Sequence, residues 1–449
     1  MHEDRFTLRR LLRSPASFLS VVNVAGAALG MVQGLLAARV LGASAYGVIA
    51  VVAGISAVVL NFLDVRMVDL AGRLYYRSDL AADVDRQAYR ASVLQLAVAG
   101  NGIISLVLCL LGFAANVVAV QWFTATPVPL AWIALQVGTL ALLNWTGTFV
   151  YLQRFSGRFY LMGVWKLVAQ LVSMSIYLGI LLSMRSLDGY FIGQFAAAST
   201  AGLVAIALTL HIWRGERLPI GRRTVGLAWA DFRGSVSFLA LTNALGYGKL
   251  LHRAADTLVV GYFCNDRDTG LYKFARTLTD SLYLLYEALA QVYTPSFLQL
   301  LAERAEAVYR RLALRVLVAT AAFTAVVLLG ELLVLPWLMR VVLVDRFAGA
   351  ESAVLVLTIP FFFVTGVHLW LWPLFVHSGR LGGVTAAHLA AGVAQYVVML
   401  ALFAIVGPSP VAAAIGYVSY YLVSQSASLA MVARTRPGVL PWTVSPASA

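Results

Sequence analysis

Apolar residues recur along this chain in runs of about 20, the length an α-helix needs to cross the hydrocarbon core of a bilayer. Polar and charged residues gather in the short segments between those runs. The pattern predicts spans at 17–38, 47–69, 91–115, 129–150, 161–183, 189–211, 235–261, 271–293, 313–338, 353–376, 384–407 and 411–433. The seventh and eighth carry several charges. Helix is still expected there, because a segment in lipid must satisfy its backbone internally and neither run alternates as a strand does. The expected fold class is an all-α polytopic membrane protein, with about 12 transmembrane helices in two six-helix lobes around a central cavity. The strongly basic connector IWRGERLPIGRRTVGLAWADFRG sets the division. An N-terminal lobe with a basic cytoplasmic tail is expected over 1–211, a cytoplasmic linker over 212–234, and a C-terminal lobe with a short cytoplasmic tail over 235–449.

Gly26, Gly30 and Gly34 step by four along the first span and leave one smooth ridge, a surface suited to close helix packing. Pro360 and Pro373 each remove a backbone donor and are expected to bend the tenth span.

Composition narrows the class. Of 449 residues, 61% are apolar and 12% charged, and the mean hydropathy is +0.84. No water-soluble domain of this size needs so little polar surface. The net charge of +13 lies mostly in short loops, so anionic membrane lipids are the expected partner and nucleic acid is not. With the N-terminus taken as cytoplasmic, 23 of the 33 Lys and Arg fall inside, 5 outside and the rest within spans. That bias predicts both termini on the cytoplasmic side and an even number of spans. Cys109 and Cys264 have neither metal-ligand nor redox spacing. No HExxH, Walker A loop or convincing metal-ligand cluster occurs, so no metal, no cofactor and no intrinsic ATPase or other enzyme activity is expected.

Charges inside the spans are the candidate chemistry, since an ionised group in hydrocarbon is expensive and usually faces a bundle interior or a polar cavity. In the seventh span Lys249 and Arg253 are four apart on one helix face, and Asp256 follows three later. The eighth carries Lys273, Arg276, Asp280 and Glu287 at helical steps. The second ends with Asp64, Arg66 and Asp69. The candidate anion-binding groups are Arg66, Lys249, Arg253, Lys273 and Arg276; the supporting or coupling carboxylates are Asp64, Asp69, Asp256, Asp280 and Glu287. Arg can grip a phosphate through two parallel hydrogen bonds and Lys acts as a compact point charge. The same residues also fit a structural ion-pair network, and the second-span group fits a helix end held together as well as a basic entrance. Glu331 and His368 lie deep in the ninth and tenth spans, where a lone histidine is more often a bonded core residue than a ligand.

The opening VVNVAGAALGMVQGLLAARVLGASAYGVIAVVAGISAVVLNFLD, with its ARxLGxxxYG turn, resembles the polysaccharide or lipid-linked oligosaccharide flippases of the multidrug/oligosaccharidyl-lipid/polysaccharide exporter superfamily. DTLVVGYFCNDRDTGLYKFARTLTD is similar to their seventh-to-eighth-helix region, with Asp256, Gly261, Gly270, Tyr272 and Ala275 in order. DRFAGAESAVLVLTIPFFF and FVHSGRLGGVTAAHLAAGVAQYVV resemble the ninth to eleventh helices. The resemblance implies alternating access and a cargo of undecaprenyl-pyrophosphate-linked glycan for surface polysaccharide. It also implies possible ion-gradient coupling, and glycosyltransferases or a polysaccharide polymerase as neighbours. Too little chain follows residue 433 for a fourteen-span plan, which weighs against lipid II as the cargo. Two other readings stay open: a drug or small-molecule exporter on the same fold, and a non-transporting membrane subunit of a polysaccharide secretion complex. An intramembrane sugar transferase or polymerase would need an extended outer loop that the sequence lacks.

Overall fold

A computed structural model describes residues 15–63, 67–75, 85–155, 159–216, 222–235, 252, 255–378, 381–435 and 437–442. Helices account for nearly all of them. In order they are α1 (Pro15–Leu41), α2 (Ala43–Leu63), α3 (Met67–Tyr75), α4 (Arg86–Phe123), α5 (Leu130–Phe155), α6 (Phe159–Met184), α7 (Leu187–Glu216) and α8 (Arg222–Gly234). There follow α9 (Ala255–Phe263), α10 (Asp266–Ala302), α11 (Glu306–Trp337), α12 (Glu351–Phe362), α13 (Leu369–Ser378), α14 (Leu381–Val406) and α15 (Pro410–Thr435). Among the described residues nine helical stretches are long and apolar enough to cross a membrane. These match the first six predicted spans and the ninth to eleventh. The eighth and twelfth predicted spans fall on α10, of 37 residues, and α15, of 26. Of the seventh, only His252 and the residues from Ala255 onward are described.

Local chemistry sets the helix ends. Gly42 turns the chain between α1 and α2 at φ +83°, a left-handed conformation that costs glycine little. Arg346 donates through Nη1 to the carbonyls of Arg39 and Val40 at 2.9 and 2.7 Å, satisfying acceptors that the end of α1 leaves open. At the start of α10 the Asn265 side chain accepts from the Asp268 N–H at 2.8 Å, and Asp266 and Asp268 place negative charge in the first turn. Pro360 breaks the α-helical ladder of the tenth span. The backbone answers with a π-helical turn, Phe363–His368, before α13 resumes.

The second predicted span falls on α2, the amphipathic α3 is described from Met67, and residues 64–66 between them lie outside the described residues. On the glycine ridge of α1, a Cβ added at Gly34 would make ordinary contact with Thr277 and Tyr46, and among the described residues one at Gly26 or Gly30 would meet nothing within 4 Å. The close approach is at Gly47 on α2 and Gly270 on α10. A Cβ at Gly47 would lie 1.8 Å from the Asp266 carbonyl oxygen, and one at Gly270 1.9 Å from that of Ala43. Only glycine allows these two backbones to meet.

The chain divides into two compact units. One comprises Met1–Gln33, Val51–Trp122 and Thr126–Tyr247; the other comprises Gly34–Ala50, Phe123–Ala125 and Gly248–Ala449. Polar crosslinks tie the first together. Asn116 donates to Ser56 Oγ at 2.9 Å, Asn144 to Ser105 Oγ at 3.0 Å, and Asn101 to Thr148 Oγ1. The amphipathic helices α3 and α8 bury Leu70, Leu74, Ala228 and Phe232 against Tyr89 and Val93 of α4. Tyr89 donates to Asp231 Oδ2 at 2.6 Å and so fixes α8 within the basic connector. In the second unit α10, α11, α13, α14 and α15 share an apolar core built on Phe297, Tyr309 and Trp370.

Candidate functional site

Four helices of the second unit bring a polar cluster into an otherwise apolar interior. Asp256 stands in the first turn of α9 and is fully buried. Its Oδ1 accepts from the Thr257 N–H at 2.8 Å, and its Oδ2 accepts from the Tyr272 O–H at 2.7 Å. Tyr272 and Arg276 lie one turn apart on α10. The Arg276 guanidinium, 4% exposed, places Nε 3.7 Å from Asp256 Oδ2 and Nη2 3.6 Å from Asp280 Oδ1. It sits 3.8 Å from the centre of the Tyr417 ring on α15, where the negative π-face attracts a cation. Its Nη1 has no hydrogen-bond partner.

The cluster continues from Tyr417 to His252. That imidazole stacks on Tyr420 at 3.6 Å and on Tyr417 at 4.4 Å between ring centres. With Nδ1–H donating to Gln395 Oε1 at 2.8 Å, Nε2 accepts from the Tyr421 O–H at 2.8 Å. The hydroxyls of Tyr417 and Tyr421 are 3.2 Å apart. The Gln395 Nε2 is buried without a partner among the described residues. Burying a charge is costly unless it is paired and hydrogen-bonded. Here each ion is met by at least one opposite charge and by dipoles or a π-face, and α9, α10 and α15 are held in one arrangement.

The sequence candidates separate accordingly. Arg276 is engaged with two of the predicted supporting carboxylates, Asp256 and Asp280. Asp280 is 47% exposed at its side chain, so the network is open on that side among the described residues. Lys273, three residues before Arg276, is half-buried. Its ammonium makes no hydrogen bond or ion pair among the described residues. Asp64, Arg66, Lys249 and Arg253 lie outside the described residues. Asp69 and Glu287 lie on α3 and α10, and their side chains are likewise outside the description. Glu331 accepts from Thr358 Oγ1 at 2.8 Å. His368 packs against the rings of Tyr286, Trp372 and His388.

Sequence reasoning missed the aromatic half of this cluster. Tyr417, Tyr420 and Tyr421 fall at i, i+3 and i+4 in IGYVSYYLVSQ, one face of a helix, and that spacing was the available signal. His252, next to Arg253, gave no sign of its partners, which come from α14 and α15.

No protein-family model and no curated protein matches the sequence. Solved structures do match. A lipid II flippase, MurJ, in an inward closed conformation aligns with a TM-score of 0.67 at 12% identity, covering 92% of this chain and 87% of that one. The eukaryotic MATE transporter AtDTX14 aligns at 0.60 and 14%, covering 96% and 98%. An inward-facing multidrug resistance MATE family transporter of the MOP superfamily aligns at 0.59 and 11%, covering 92% and 98%. The chain therefore has the multi-pass helical fold that these transporters share.

Proposed function

We propose that this protein is a flippase that carries a polyprenyl-pyrophosphate-linked oligosaccharide across the cytoplasmic membrane by alternating access, for surface polysaccharide synthesis. The observation that carries this reading is the likeness, over nearly the whole chain, to a fold that handles a lipid-linked precursor in MurJ. Lys273 supports it. Arg276 is committed to Asp256 and Asp280, whereas the neighbouring Lys273 ammonium has no hydrogen bond or ion pair among the described residues and is offered to an anionic headgroup. Sugar and pyrophosphate cross hydrocarbon only if polar groups replace their water, while the polyprenyl tail can remain in lipid. No covalent bond need break, so no catalytic residue is assigned.

A second reading, export of a cationic drug, is favoured by one observation. Asp256 and Asp280 lie among the aromatic rings of Tyr272 and Tyr417, a setting suited to cations. Arg276 already occupies that setting, which weighs against it. The test uses proteoliposomes loaded with a fluorescent undecaprenyl-pyrophosphate-linked sugar whose leaflet accessibility is followed with a membrane-impermeant reagent. Wild-type protein is expected to expose the buried-leaflet sugar, and Lys273→Gln to slow that exposure. Exposure no faster than in protein-free vesicles rejects the flippase reading.

A further inference from the structure

The first unit contains a cavity of about 370 Å³ bounded by α1, α5, α6 and α7, within the roughly 300–1,000 Å³ range of small-molecule sites. Small residues make the room: Gly147 on α5 and Ala197, Ala198 and Ala201 on α7. Into this space the sequence places three carboxamides from three helices, Gln33 on α1, Gln170 on α6 and Gln194 on α7. Among the described residues none of the three side chains makes a hydrogen bond. An amide has two donor hydrogens and a two-lone-pair acceptor, and leaving them unmet against apolar walls carries a desolvation penalty. One such glutamine is ordinary; three converging on one cavity point to something polar that fills it.

The rest of the lining says which chemistry. Among the described residues no carboxylate lines the cavity, so a cation finds no counter-charge there. The one cation among them, Lys166, donates to Asn23 Oδ1 at 2.6 Å, which leaves a multiply charged phosphate poorly matched. The Ser173 and Thr146 hydroxyls donate to the carbonyls of Ala197 and Leu142 at 3.1 and 2.8 Å. They therefore offer lone pairs outward. The Trp165 ring supplies an aromatic wall. Neutral amides, hydroxyl acceptors and one aromatic face together complement a ring whose edges carry hydroxyls and whose faces carry C–H groups.

We propose that this cavity is a subsite for the uncharged sugar of the cargo, read by Gln33, Gln170 and Gln194. This rests on the flippase reading and adds to it that the glycan, and not only its phosphate, is recognised. The experiment places a reporter, Ala201→Cys, in protein in which Cys109 and Cys264 are replaced by alanine. The full chain is held in nanodiscs, and the rate of modification by a small maleimide is measured. The probes are undecaprenyl pyrophosphate bearing a hexose-headed disaccharide, the same lipid bearing an N-acetylhexosamine-headed disaccharide, and the sugar-free lipid. At least one sugar-bearing probe is expected to slow modification about tenfold at saturation and the sugar-free lipid to leave it unchanged. Adding Gln170→Leu with Gln194→Leu is expected to abolish the protection. Equal slowing by all three lipids, slowing by none, or a reporter that is unreactive without lipid overturns the proposal. The reporter alone decides the matter if the double variant does not fold. Flipping without protection rejects the subsite and leaves the flippase reading standing; protection without flipping does the reverse.

Discussion

Each compact unit ties its helices together with buried polar pairs, but one polar cluster in each is used differently. In the second unit Asp256 is held by Tyr272, Thr257 and Arg276, and His252 by Gln395 and Tyr421. In the first, three glutamines line a cavity and none makes a hydrogen bond among the described residues. Paired groups fix helices in place, whereas polar groups left open in a cavity are free to serve a ligand.

The largest effects should come from breaking the closed network. Asp256→Ala leaves Arg276 buried opposite only the half-exposed Asp280, and losing one member of a buried pair typically costs about 3–5 kcal/mol. A sharp fall in monodisperse protein and in melting temperature is expected, by size-exclusion and thermal-shift measurement. A normal melting temperature would show that the cluster does not hold the unit together. Gly270→Val should be comparably damaging, since a Cβ there lies 1.9 Å from the Ala43 carbonyl oxygen. Gly30→Ala is the control, and its melting temperature should match wild type. Equal tolerance at both glycines would erase the contrast.

Intermediate effects test Lys273. Lys273→Gln should leave the melting temperature unchanged and slow sugar-lipid flipping about tenfold, the worth of one hydrogen bond to a charged group. A drop in stability without a change in flipping would place Lys273 in the structural network instead. The smallest stability effect belongs to the first unit. Gln170→Leu removes an unmet amide, so thermal stability should hold or rise slightly while transport of the sugar-bearing lipid falls. A clear loss of stability would show that Gln170 has structural work inside the protein.

Much of the fold could be read from hydrophobic pattern alone, because in lipid the length of an apolar run fixes an element's identity. The glycine contact was half legible. Gly47 and Gly270 both stand in the segments that carry the superfamily resemblance, but four-residue spacing drew attention to the wrong ridge. At the site, Asp256, Arg276 and Asp280 announced themselves as charges in apolar helices. The i,i+4 spacing of Arg276 and Asp280 already allowed their pairing, but the Arg276–Asp256 pair was not legible, because it depends on α9 and α10 meeting. Neutral groups gave weaker signals still. Gln33 is more than a hundred residues from Gln170 and Gln194, and an isolated glutamine in an apolar run is unremarkable until packing brings three together.

Cargo identity is the centre of the account, and one batch of proteoliposomes measures it directly. Leaflet exposure of a labelled undecaprenyl-pyrophosphate-linked sugar and uptake of a fluorescent lipophilic cation are followed side by side. The account predicts faster sugar exposure than in protein-free vesicles, with cation uptake equal to theirs. Protein-dependent cation uptake with no gain in sugar exposure would contradict it.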